Sequence, residues 1–193
     1  MTADGNMNIY VCTIRDNKVH KFSMARTRLG QFNFPNGVRI NNYGELYICD
    51  SRNNRMQVFD LDLNFKRVFG SQGSGKGQFK CPSDVDFDAD DNVYIVDTNN
   101  HRIQVFSPQE QYLRAIGQKR FGSKELVSPI NMHISDDQLF ITEHEKNHVT
   151  VFKTSGELLT TFGNGVLSNP EGIEVDEDGF VYVTSDYSRI VVY

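Results

Sequence analysis

One segment of this chain returns five times, and that repetition limits the fold more than any other feature. Cys12–Phe22, Cys49–Phe59, Val96–Phe106, Thr142–Phe152 and Val183–Tyr193 share a frame. The frame sets Lys18, Arg55, Arg102, His148 and Arg189 at one position and ends every copy on an aromatic ring. A second anchor, Pro35, Pro82, Pro129 and Pro170, steps by 47, 47 and 41 residues. A period of about 40–50 residues without any 3.6-residue apolar rhythm is that of a four-stranded propeller blade.

The strands follow from this frame. Each proline leads into a short alternating strand a, beginning near Val38, Val85, Ile130 and Ile173. A turn such as Asp88–Asn92 or Asp176–Gly179 precedes strand b, which is continuously apolar (Leu46–Ile48, Val93–Val96, Val181–Val183), as a strand covered on both faces should be. Strand c follows an Asn/Asp-rich turn (Met56–Phe59, Ile103–Phe106), and strand d closes on Phe69-Gly70, Ile116-Gly117 or Phe162-Gly163. The expected fold is all-β: an incomplete β-propeller of four-stranded antiparallel blades, essentially without helix. It forms one region over 1–193, with full blades at about 35–70, 82–117 and 129–163. Residues 1–28 supply strands b-c-d of a first blade and 170–193 supply a-b-c of a last one. Open ends of this kind expose apolar sheet faces, so self-association or an incomplete ring is expected.

Composition removes several classes. No apolar run reaches 18 residues, so no membrane partner is expected. The start MTADGNMNIY lacks the basic and apolar regions of a signal peptide, and no N-x-S/T sequon occurs. Cys12, Cys49 and Cys81 are odd in number and form no CxxC, which favours a reducing, cytoplasmic compartment.

Two motifs imitate chemistry. His144-Glu-Lys-Asn-His148 has the H-E-x-x-H spacing, but it lies in a b–c turn, whereas zinc catalysis needs both rings on one helix face. Gly70–Gly77 approaches a phosphate-binding loop, yet Gly77 stands where Ser or Thr would hold magnesium, and Phe79–Pro82 leads into a strand. Asp90, Asp91, Asp136, Asp137, Glu177 and Asp178 read as turn formers. No catalytic constellation, cofactor site or metal site emerges, and the chain reads as a non-enzyme.

Charge is divided by topology. Antiparallel strands place b–c turns and d–a links at one end of each blade and a–b and c–d turns at the other. The first end carries fourteen basic residues against seven acidic ones; the second carries fourteen acidic against one basic. Partner contact is therefore expected at Arg26, Arg28, Arg52, Lys76, Lys119, Arg120 and Lys124. Asn53, Asn99, Asn100 and His101 would serve as hydrogen-bonding groups and Phe121 as a stacking ring. Positive charge tracks phosphates and amides or aromatics read bases, so single-stranded RNA fits, and so does an acidic protein segment. Asp50 with Arg55 and Asp97 with Arg102 flank the b–c turns and are expected as structural ion pairs.

The pattern P-x-G-[VI], Y-[IV]-x-D, N-x-R-[IM]-x-V-[FY] and F-G, together with the glycine-rich stretch Gly70–Pro82, resembles the NHL-repeat family, most of all the C-terminal domain of tripartite-motif NHL proteins. The absence of Trp argues against the Trp-Asp propellers. The resemblance implies the target-binding part of a larger ubiquitin ligase or translational regulator, whose RING, B-box and coiled-coil regions are not in this sequence. Members of the family close with more blades than this chain supplies. A lyase-like extracellular propeller and a purely structural scaffold are the alternatives.

Overall fold

Val, Ile, Tyr and Phe fill the strands, and Asn, Asp and Gly fill the connections between them, so short antiparallel strands dominate the molecule. The structure, a computed structural model, describes residues 1–22, 32–118, 125–186 and 188–193, and the backbone alone of 27–29.

The first sheet comprises β1 (Thr2–Ala3), β2 (Ile9–Thr13), β3 (Lys18–Phe22) and β4 (Thr27–Leu29). The second holds β5 (Pro35–Ile40), β6 (Glu45–Asp50), β7 (Arg55–Asp60) and β8 (Phe65–Phe69). A parallel two-stranded ribbon, β9 (Ser71–Gln72) and β10 (Gln78–Phe79), follows. The third sheet runs β11 (Pro82–Phe87), β12 (Val93–Asp97), β13 (Arg102–Phe106) and β14 (Tyr112–Ile116). The fourth runs β15 (Pro129–Ser135), β16 (Gln138–Glu143), β17 (His148–Lys153) and β18 (Leu158–Phe162). The fifth has three strands, β19 (Ile173–Val175), β20 (Val181–Ser185) and β21 (Arg189–Val192). The fold class is all-β, built of propeller blades.

Three details depart from the sequence expectation. The two-residue β1, pairing Thr2 with Tyr10 and Ala3 with Ile9, gives the first sheet an a strand that no proline announces. Single 3-10 turns stand at Ser51–Asn53, Thr98–Asn100 and His144–Lys146, each closed by a residue with φ near +54°. In the fifth sheet Ser185 pairs with Arg189, the place taken by Asp97 and Arg102 in the third. The last b–c turn is thus one residue shorter than the others, and Ser185, not Thr184, occupies the acidic position of the repeat.

The chain divides into two compact units, Met1–Val85 and Asp86–Tyr193. In the first, Tyr10 and Val19 of one sheet pack on Val38, Leu46, Ile48 and Phe59 of the next. In the second, Tyr94, Val96, Ile103 and Val105 pack on Met132, Leu139, Ile141 and Phe152. Val149 and Val151 pack likewise on Ile173, Val181 and Val183.

The F-G ending has a steric cause. Gly117 holds φ +80°, and a Cβ there would come within 2.3 Å of the Leu126 side chain, which plugs the core beside Ile116. Gly163 and Leu167 repeat the arrangement at 2.4 Å. Glycine is required because the plug lies where a side chain would be.

Candidate recognition surface

The b–c turns are organised around buried acids. Asp50 is fully buried; its Oδ2 accepts from Asn53 Nδ2 at 2.9 Å, Arg55 Nε at 2.8 Å and Gln57 Nε2 at 2.8 Å. Asp97 repeats this with Asn100 at 2.9 Å, Arg102 at 2.8 Å and Gln104 at 3.1 Å. In the fourth sheet Glu143 takes over. His148 Nε2 lies 2.9 Å from its Oε1, Thr150 donates to the same oxygen, and Lys146 Nζ stands 2.9 Å from Oε2. Burial pushes the Glu143 carboxyl up, but the bonds from Thr150, Lys146, the Val127 amide and His148 outweigh it and hold it below its ordinary value. The spacing i, i+3, i+5, i+7 of the repeat is the spacing of these donors along turn and strand.

The same turns fasten the links that precede each proline. Asn33 N–H donates to Asp50 Oδ1 at 2.7 Å, Val127 N–H to Glu143 Oε2 at 2.6 Å, and Ser168 N–H to Ser185 Oγ at 2.9 Å. The next residue is held by the preceding turn. Phe34, Cys81, Ser128 and Asn169 donate their N–H to Asn17 Oδ1, Asn54 Oδ1, His101 Nδ1 and Asn147 Oδ1 at 2.6, 2.9, 3.1 and 2.7 Å. All four of these donors have positive φ, between 45° and 57°.

This geometry sorts the expected site residues. The Asn53 and Asn100 side chains serve the buried acids and His101 Nδ1 serves Ser128, so these three build the loops. Arg52 and Asn99 occupy the same turn position and are exposed, as is Lys76 on the glycine-rich link. The Arg52 guanidinium lies 4.4 Å from the Phe34 ring centre. Arg26, Lys119, Arg120, Phe121 and Lys124 lie outside the described residues; of Arg28 only the backbone, in β4, is described.

The zinc-like motif does not converge. His144 begins a 3-10 turn, and the buried His148 ring is engaged by Glu143 and by Asn164 Oδ1 at 3.1 Å. Among the described residues no group of three His, Cys, Asp or Glu side chains is arranged to hold a metal. The phosphate-loop imitation is a cradle for Gln78: Gly75 N–H donates to its Oε1 at 2.9 Å, and a Cβ on Gly73 would meet that oxygen at 2.2 Å. None of the three cysteines is in a disulfide, and burial pushes the Cys12 thiol up to about 12 and Cys49 well above its ordinary value. Neither is an activated nucleophile. One cluster escaped the sequence reading. Asp86, His133 and Glu174 share the middle position of consecutive first strands, and His133 Nδ1 stands 3.9 Å from Asp86 and 3.2 Å from Glu174. Aligning the strand triplets Val85-Asp86-Phe87, Met132-His133-Ile134 and Ile173-Glu174-Val175 would have disclosed it.

At the other end of the blades the acids are turn makers. Asp88 accepts from the N–H of Asp90 and Asn92 and from Tyr94 OH; Asp176 does the same for Asp178, Phe180 and Tyr182. Glu45 is gripped by Arg67, at 2.9 and 2.8 Å, and by Lys66. The Arg67 bonds, against the opposing effect of burial, hold its carboxyl at about 2. A depressed pKa contributes stability that is full above the unfolded value, 4.5, and fades as pH falls toward about 2. In acid melts, the advantage of the parent over Glu45→Gln is therefore expected to shrink across that window and to stay constant above it.

The family model for the NHL repeat matches residues 32–59 and 79–106, and the second and third sheets lie largely within or just after those segments. The chain carries NHL repeats. It is 28% identical over 177 residues to Protein brain tumor of Drosophila melanogaster, covering 90% of this chain and 12% of that protein. It is 41% identical over 46 residues to the B-box type zinc finger protein ncl-1 of Caenorhabditis elegans, 24% of this chain and 5% of that one. The RING finger protein nhl-1 of the same organism is 39% identical over 54 residues, 28% and 6% of the two chains. The chain therefore covers about an eighth or less of the length of these relatives. Among solved structures, a streptogramin B lyase superposes with a TM-score of 0.74 at 14% identity, over 100% of this chain and 66% of the lyase. A chain of a nidogen/laminin complex gives 0.69 at 17%, over 83% and 61%. At such identities the likeness is one of fold.

Proposed function

We propose that these NHL blades form a non-catalytic recognition module that takes its partner on the b–c turn and d–a link side. The partner is an acidic protein segment or single-stranded RNA, and the chain is the target-binding part of a larger cytoplasmic regulator of the tripartite-motif kind. The carrying observation is the division of labour within each b–c turn. Buried acids absorb the recurring donors of the repeat, and the tip residues Arg52 and Asn99 are left exposed, differing from blade to blade. A scaffold position repeats; a recognition position varies.

The test is a titration with single-stranded RNA at 50 and 200 mM salt. RNA binding predicts an affinity falling with salt by about 0.7 log units per log salt for each phosphate neutralised. Arg52→Glu combined with Lys119→Glu should weaken it by about one to two orders of magnitude, since attraction becomes repulsion. Asp90→Lys with Glu177→Lys, at the far end, should leave it unchanged or slightly stronger. Absence of RNA binding at 50 mM salt assigns the surface to an acidic protein segment, tested next with a Glu-rich peptide.

A further inference from the structure

The residue before each repeat proline is pinned to the preceding b–c turn, and one of these pins differs in chemistry from the rest. Asn17, Asn54 and Asn147, all with positive φ, accept at Oδ1 the N–H of Phe34, Cys81 and Asn169. An amide oxygen accepts at any ordinary pH. After Thr98–Asn100 the turn closes instead on His101, whose Nδ1 takes the N–H of Ser128 at 3.1 Å. A backbone N–H only donates, so this Nδ1 carries no proton and Nε2 carries the ring's hydrogen.

The pin holds strained backbone, because Ser128 has φ +46°, in the left-handed region that residues with a Cβ rarely adopt. The other ties of the stretch do not need a neutral imidazole. Leu126 N–H donates to Gly117 O at 2.9 Å, Val127 N–H to Glu143 Oε2 at 2.6 Å, and His144 N–H to Ser128 O at 3.2 Å. The Glu143 carboxyl is held below its ordinary value and stays ionised through the neutral range. His148 Nε2 faces that carboxylate at 2.9 Å, so a proton gained there tightens the pair, an effect of opposite sign. The exposed His101 ring is surrounded by charges engaged elsewhere. Asp97 is paired with Arg102, Glu145 Oε1 accepts from Ser128 Oγ at 2.6 Å, and Lys146 serves Glu143 and the Glu125 carbonyl.

We propose that the His101–Ser128 bond is a proton-operated latch on the link between β14 and β15. It is closed while the ring is neutral and released when Nδ1 takes a proton from solvent and turns a second donor toward the Ser128 N–H. Imidazole changes charge between about pH 5 and 8, a range in which the asparagine pins stay as they are. A bond that requires the neutral ring is complete at the alkaline end and is lost as pH falls. Release lets Ser128 leave the left-handed region. Lys119, Arg120 and Lys124 precede Ser128 in the same link. An effect of the latch on partner binding rests on the function proposed above, whereas the latch itself does not.

The test is amide exchange of the full chain followed by NMR at about pH 5 and 8, with each amide's protection taken relative to an unstructured peptide at the same pH. Protection at Ser128 is expected to fall about tenfold from the higher pH to the lower, the worth of one net hydrogen bond. Cys81 and Asn169, on asparagine pins, should keep theirs. In His101→Asn, Ser128 should hold equal protection at both pH values, because an amide oxygen supplies the pin found at the other turns. In His101→Ala it should be weakly protected at both. A parent whose Ser128 protection does not change with pH would overturn the proposal. An equal fall at Ser128, Cys81 and Asn169 would do the same, since it would report opening of the whole fold. So would a fall that persists in His101→Asn, which would place the titrating group elsewhere, at His148 or Glu145.

Discussion

Asp97→Ala should destabilise the chain by about 3–5 kcal/mol in urea melts, the cost of stranding a buried partner charge. Asp97 and Gln104 are fully buried and the Arg102 side chain is only 4% exposed, so the substitution takes from a buried guanidinium and a buried amide the carboxylate that they share. Asp50→Ala should cost less. Arg55 is 36% exposed at its side chain and can recover hydration, whereas Arg102 cannot. Equal losses at the two sites would show that the buried acid acts only through packing.

The second large effect is expected from the glycine after strand d. Gly117→Ala forces a Cβ to 2.3 Å from Leu126 at φ +80°, which combines a left-handed alanine, about 1–2 kcal/mol, with an overpacked core, about 1–3 kcal/mol. Leu126→Ala, at a position 1% exposed, should cost about 2–5 kcal/mol through the cavity it leaves. The double variant should lose clearly less than the sum, since the new methyl enters the space that the leucine vacates. Strict additivity would contradict the account of Gly117 as a seat for the plug.

The blades were legible in the sequence because their anchors answer to local physics. Proline, the Phe-Gly ending and the aromatic close of strand c each mark a fixed point of the backbone. What escaped notice lacks such a mark. The strand Thr2–Ala3 is two residues long and is held by pairing with Ile9 and Tyr10, which only the folded chain brings near. The shortened turn before Arg189 is invisible to an ungapped alignment. Its true register is set by Tyr182, whose hydroxyl reaches Asp176 six residues back just as that of Tyr94 reaches Asp88. Which end of a blade each turn occupies was legible because strand polarity alone sorts the turns. Which turn side chains serve the scaffold was not. Asn53 and Asn99 look equivalent in composition and both are exposed, yet the Asn53 amide donates to the buried Asp50 carboxylate. The acids of the opposite side also appeared more open than they are, because strand-borne Lys66 and Arg67 fold over Glu45.

If one end of the blades takes the partner while the other only turns the chain, the two ends should differ in amide hydrogen exchange measured with and without a saturating oligouridylate on the order of 12 nucleotides or a Glu-rich peptide, whichever binds. Exchange is then expected to slow at turns 51–54 and 98–101 and at link 73–81, with turns 41–44, 88–92 and 176–179 unchanged. Slowing confined to the second set, with the first unaffected, would overturn that division.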